Sequence, residues 1–113
     1  MNIFSYTNKG GCMERRISED DIFEISSNFK ALGDGNRFKI VLCLLNEEKN
    51  VSQISGALNL SQSATSHQLR ILRDARILKS KKVKNEIFYR ISDNHIKSII
   101  EMTLEHLSCR DGD

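Results

Sequence analysis

The hydrophobic period of this chain changes twice, and the places where it changes constrain the fold more than any other feature. Up to about Ala75 apolar residues recur every three or four positions. From Ile77 to Ile91 they alternate, and from about Asp93 the helical period returns. A first helix starts at Ser18, a suitable cap, with Glu19, Asp20 and Asp21 at its positive end and the stripe Ile22, Ile25, Phe29, Leu32. Gly33-Asp34-Gly35-Asn36 ends it. A second runs from Asn36 to Asn46 with Phe38, Val41, Leu42 and Leu45 inward. A third, short helix carries Val51, Ile54, Ala57 and Leu58, with Ser52 or Asn50 as its cap. Asn59 suits a helix stop. A fourth extends from Ser61 to about Ala75 and buries Ala64, Leu69 and Leu72. The break at Asn59-Leu60-Ser61 has helix-turn-helix proportions. Strands at Ile77–Val83 and Glu86–Ile91 flank a Lys84-Asn85 tip. A last helix, from about Asp93 to Leu107, has the stripe Ile96, Ile99, Ile100, Thr103, Leu104, Leu107. The expected fold is mostly α with a β-hairpin wing, in the order α-α-α-α-β-β-α, a winged helix-turn-helix.

Residues 1–17 lack periodicity and hold Gly10-Gly11, so they read as a flexible arm. Residues 18–109 form the one domain, and 110–113 a short tail. A domain of 113 residues is small enough that pooling two cores in a homodimer is expected. The longest apolar run, Ile40 to Leu45, is far below the ~20 residues of a bilayer span. With no secretory h-region at Met1 to Cys12, the expectation is a cytoplasmic protein with no membrane partner. Cys12, Cys43 and Cys109 are odd in number and dispersed, as reduced thiols are.

A net charge of +2 conceals an uneven distribution. Arg70, Arg73, Arg76, Lys79, Lys81, Lys82, Lys84 and Arg90 face only Asp74 and Glu86, so Ser61–Arg90 carries +6 and the remainder −4. Such a segment suits a polyanion. The fourth helix adds base- and phosphate-bonding side chains, Ser61, Gln62, Ser63, Thr65, Ser66, His67, Gln68 and Arg70. Lys82, Lys84 and Asn85 at the hairpin tip reach the adjacent groove or backbone. Double-stranded DNA is the expected partner. The competing bland readings are capping by Ser61 and Ser63 and a merely solvated lysine-rich face.

From Leu32 to Cys109 the sequence resembles the ArsR/SmtB family of bacterial metal- and redox-responsive repressors. The similarity is carried by Phe29-Lys30-Ala31-Leu32-Gly33-Asp34 with Asn36-Arg37-Phe38-Lys39-Ile40, by Leu60-Ser61-Gln62-Ser63-Ala64-Thr65-Ser66-His67-Gln68-Leu69, and by Phe88-Tyr89-Arg90-Ile91. The resemblance implies a dimeric winged-helix repressor whose free form holds an operator, expected to be an imperfect inverted repeat, and releases it when an inducer binds.

Four residues of the last helix suggest that inducer. Asp93, His95, His106 and Cys109 are all metal-ligand types, but His95 and His106 stand ~16 Å apart along one helix, too far to share an ion. An antiparallel partner helix brings the two pairs together and makes two equal sites per dimer. The spacing is similar to the inter-subunit site on the last helix of the family's zinc sensors, with Cys109 as the departure from His or Glu. Zn(II) is the first choice, with Cd(II), Co(II) or Ni(II) as substitutes and no organic cofactor. The simpler reading makes Asp93 an N-cap and the histidines dipole partners. A rival inducer site is a thiol or persulfide switch through Cys43 and Cys109, where Cys43 is otherwise a small buried hydrophobe. A nucleoid-type DNA binder without inducer is a further alternative. An enzyme is not expected, because Asp93, His106 and Cys109 have no oxyanion or phosphate loop beside them.

Overall fold

The computed structural model describes residues 2–7, 10 and 14–109. Cys12 and the tail 110–113 lie outside them. The elements are β1 (Asn2–Thr7), β2 (Glu14–Ser18), α1 (Glu19–Leu32), α2 (Gly35–Cys43), β3 (Lys49–Asn50), α3 (Val51–Leu58), α4 (Gln62–Asp74), β4 (Leu78–Val83), β5 (Glu86–Ile91) and α5 (Asn94–Cys109). The winged helix-turn-helix is therefore present in the expected order. Three strands go beyond the expected hairpin. β1 and β2 pair antiparallel where the sequence suggests a flexible arm, and β3 adds a third strand to the wing, in the order β3-β5-β4. Of the ribbon residues whose burial is described, Ser5, Tyr6, Thr7, Arg15 and Arg16 are exposed and Ile17 and Ser18 are half-buried, so burial does not alternate along them. β3 is two residues long, too short for any pattern.

Each local signal has a bond behind it. Ser18 accepts the Asp21 backbone N–H at 3.1 Å while the Asp21 carboxylate accepts the Ser18 N–H at 3.0 Å, a reciprocal cap on α1. The Ser18 N–H bond above all, then the Ser18 hydroxyl and Arg15 at 3.3 Å, holds the Asp21 carboxyl below its ordinary value. Its contribution to α1 is therefore complete above the unfolded carboxylate value and fades as pH falls through the lower folded one, in a window below about 4. The Tm difference between the wild type and Asp21→Ala is expected to be constant from pH 7 to 5 and to shrink below pH 4. A difference that grew on acidification would contradict it.

The helix-turn-helix break is closed the same way. Asn50 and Gln53 cap α3 reciprocally, at 2.8 and 2.9 Å. Asn59 takes the left-handed conformation (φ 55°), and the Leu60 N–H returns to the Ser55 carbonyl at 3.0 Å. Ser61 then caps α4 by accepting the Ala64 N–H at 3.1 Å. At the wing tip Val83 pairs with Glu86 across Lys84-Asn85, and Lys84 supplies the left-handed residue (φ 57°).

The core gathers Leu32, Ile40, Val41, Leu44, Ile54, Leu69, Leu72, Ile77, Leu78, Tyr89 and Ile100. Several expected core positions lie elsewhere. Ile25 and Phe29 of α1 are exposed, Leu42 is at the surface, and Ala64 is exposed while its neighbour Thr65 is fully buried. Thr65 tolerates burial because its hydroxyl donates to the Ser61 carbonyl at 2.8 Å. In α5 only Ile100 is buried over 16 residues, and Met102 and Leu107 are exposed. The radius of gyration, 16.5 Å, exceeds the about 13 Å of a compact domain of this length. Among the described residues no helix is long and apolar enough to cross a membrane.

Candidate functional site

α4 presents one polar face. Ser63, Ser66, His67 and Arg70 are exposed and spaced to share one side of the helix, with Gln62 and Ser61 at its N-terminal end. This face has little carboxylate opposition, since Asp74 at the last residue of α4 is the helix's one acid. The N-terminus of α4 adds the positive end of the helix dipole, which suits phosphate oxygens. Gln62 donates from Nε2 to the Ser52 hydroxyl at 3.0 Å, which ties the start of α4 to α3.

Two of the expected contacts are corrected or reassigned. Thr65 has no exposed surface and its hydroxyl is committed to Ser61, so it cannot touch a base or phosphate. Gln68 is half-buried, and its Oε1 accepts from Arg37 Nη1 at 3.1 Å; Arg37 Nε donates to the Ala31 carbonyl at 2.7 Å. Gln68 and Arg37 thus brace α4 against α1 and α2. The brace was missed because Arg37 and Gln68 are 31 positions apart. At the wing, Lys82, Lys84 and Asn85 are all exposed. Lys81 is paired with Glu48 at 3.0 Å.

The second constellation lies on α5. Asp93 caps the helix, its Oδ1 accepting the Ile96 N–H at 3.0 Å and standing 3.7 Å from His95 Nδ1. His106 and Cys109, three residues apart at the far end, are exposed. The geometry leaves two pairs at opposite ends of one helix. Among the described residues of one chain, no group of three or more His, Cys, Asp or Glu side chains comes together as a metal cluster. Asp93 is thus both a cap and, through its other oxygen, an open donor. The donor types, two imidazoles, a carboxylate and a thiol, fit a tetrahedral zinc-type ion once the pairs meet.

Cys43 ends α2 and Cys109 ends α5, both as free thiols. Cys43 is half-buried rather than enclosed in the core, and its backbone carbonyl accepts from Lys49 Nζ at 2.7 Å.

Comparison with known proteins accords with this geometry. The sequence profile of the arsR family of bacterial regulatory proteins matches residues 34–80, which span α2 to the middle of β4. A transcriptional repressor SmtB homolog of Synechocystis sp. is 34% identical over 91 residues, 80% of this chain and 69% of that protein. A CadC homolog of Staphylococcus aureus, a cadmium resistance transcriptional regulatory protein, is 29% identical over 94 residues, 82% of this chain and 78% of its own. The transcriptional activator HlyU of Vibrio cholerae is 32% identical over 102 residues, 90% and 94%. The structure of reduced HlyU superposes with a TM-score of 0.71 at 33% identity, over 80% of this chain and 95% of that one.

Proposed function

The chain belongs to the ArsR family of bacterial regulatory proteins, DNA-binding regulators rather than enzymes, and from that premise we propose a dimeric repressor that senses a divalent metal, Zn(II) first. Ser61, Gln62, Ser63, Ser66, His67 and Arg70 face the major groove, and Lys82, Lys84 and Asn85 reach the flanking backbone. Arg70→Ala is expected to weaken operator binding about tenfold and, with one Arg70 lost from each subunit, to flatten the dependence of affinity on salt by about two units. Fluorescence anisotropy at several salt concentrations measures both. An unchanged slope would remove Arg70 from the phosphate contacts.

The observation that carries the metal reading is the division of four ligand-type side chains into two exposed pairs on a helix that its own chain leaves largely uncovered. Asp93 and His95 would hold the ion from one subunit, and His106 and Cys109 of the partner subunit from the other. The ion would supply a link that fixes the relative orientation of the two subunits. That orientation sets the spacing of the two α4 helices against half-sites ~34–36 Å apart. Support also comes from the CadC relative, a cadmium resistance regulator by name, and from the SmtB homolog, a repressor by name. HlyU is named an activator, so the sign of regulation rests on the SmtB likeness.

Titration of the reduced protein with Co(II) tests the site. Intense tetrahedral d–d bands, a sulfur charge-transfer band lost in Cys109→Ser, and one ion per chain are the expected result. A featureless titration would overturn it and favour the second reading, a thiol-responsive regulator. That reading has its own support in the two free, incompletely buried thiols Cys43 and Cys109.

A further inference from the structure

The basic segment does not spend all its charge on the α4 face and the wing tip. Arg73 and Arg76 at the end of α4, Lys79 and Lys81 of β4, Arg90 of β5 and Ser92 line a hollow of about 420 Å³. Of the five cations only Lys81 has a carboxylate partner, Glu48; the other four pair with no acid among the described residues. Four like charges around one concavity repel each other unless a counter-charge occupies it. Ser92 is 8% exposed, and its hydroxyl has no hydrogen-bond partner among the described residues. An unpartnered buried hydroxyl calls for an explanation, and Ser92 is one of the residues that line the cationic hollow. Arg76, moreover, holds a left-handed backbone (φ 62°) where glycine is the usual residue. The Arg76 N–H bonds the Arg73 carbonyl and the Ile77 N–H bonds that of Leu72, so the turn that fixes the arginine in this conformation is fully bonded.

We propose that this hollow is a binding site for a small, multiply charged oxyanion of the phosphate type, held by the Arg73, Arg76 and Arg90 guanidiniums and by the Ser92 hydroxyl as donor. Guanidinium forks and a hydroxyl donor match tetrahedral oxygens, and the volume falls within the ~300–1,000 Å³ of small-molecule sites, with room for more than one phosphate. The hollow shares no lining residue with the recognition face and begins at Arg73, one turn (~4.5 Å along the helix axis) beyond Arg70. Its walls come from α4, the wing base and the junction before α5, where the Ser92 N–H is bonded to the Ile77 carbonyl and Asp93 follows. An anion held there fastens the recognition helix to the segment that enters the α5 helix.

Calorimetric titration of the metal-stripped, full-length protein with pyrophosphate, and separately with inorganic phosphate, at fixed ionic strength in chloride tests the site. Pyrophosphate is expected to bind one per chain and more tightly than phosphate. Arg76→Gln with Arg90→Gln should reduce that affinity at least tenfold. Ser92→Ala should reduce it about fivefold while leaving the Tm of the free protein unchanged or raised, because no internal bond is lost. Lys82→Gln with Lys84→Gln at the wing tip should change nothing. Undiminished affinity in both the double arginine variant and Ser92→Ala would overturn the site. So would displacement of pyrophosphate by operator duplex together with a lowered salt slope in the arginine variant, which would assign the hollow to the DNA backbone.

Discussion

Phe29→Asp combined with Leu107→Asp is expected to convert the protein to a monomer and to lower operator affinity by about 10³-fold. Phe29 is 58% and Leu107 50% exposed, and Phe23 and Ile25 of α1 and Met102 of α5 are exposed apolar residues on the same two helices. Such residues on two helices, one of which buries a single side chain in its own chain, mark an unpartnered face. Because neither position lies in the core, the charges leave the monomer folded, and circular dichroism checks that first. Light scattering then reads a mass near 12.9 kDa rather than twice that value. The loss of affinity follows from valency. A dimer that seats one α4 presents the second to its half-site at high effective concentration, and removing that linkage costs ~10²–10⁴-fold. A variant that stays dimeric would move the interface elsewhere; one that is monomeric with full affinity would show that a single α4 suffices.

That same surface shows where the sequence is ambiguous. Ile22, Ile25, Phe29 and Leu32 make one apolar stripe by spacing, yet the chain covers Leu32 and leaves Ile25 and Phe29 exposed. A helix that packs on its own core and one that packs on a neighbour carry the same period, so periodicity reports an apolar face without saying what covers it. Ala64 and Thr65 fail for a different reason. Polarity puts threonine outside, but its hydroxyl is satisfied by the Ser61 carbonyl one turn back, so the methyl face is buried and the alanine turns outward. The features that were legible are those enforced locally: Asn59 at the left-handed stop, Ser18 and Ser61 at helix starts, Lys84-Asn85 at the tip of an alternating pair. The oxyanion hollow was not legible. Arg73, Arg76, Lys79 and Arg90 counted only as charge until the Schellman-type turn at Arg76 and the wing register, which sets Lys79 opposite Arg90, brought them to one place.

Mixing two variants, neither of which binds metal alone, is expected to restore metal binding, at one intact site per heterodimer. The first, Asp93→Ala with His95→Ala, keeps His106 and Cys109. The second, His106→Ala with Cys109→Ser, keeps Asp93 and His95. Within one helix the two pairs are ~16 Å apart, so no single chain can complete a coordination shell and each homodimer lacks half of every site. In the heterodimer, one site receives Asp93 and His95 from the second variant and His106 and Cys109 from the first. The other site receives four substituted positions. Statistical exchange makes about half of the dimers heterodimers, each with one intact site of two, so Co(II) absorbance should appear only after subunit exchange, at about a quarter of the wild-type stoichiometry. Metal is expected to lower operator affinity of the wild type by ~5–150-fold, the range of a typical coupling free energy, and that of either homodimeric variant not at all. Restoration in the mixture separates a shared site from two weak local ones, because ligands acting within one chain gain nothing from exchange. Absorbance in either variant alone would place the ion on a single helix end, and the link between subunit orientation and DNA release would fall with the shared site.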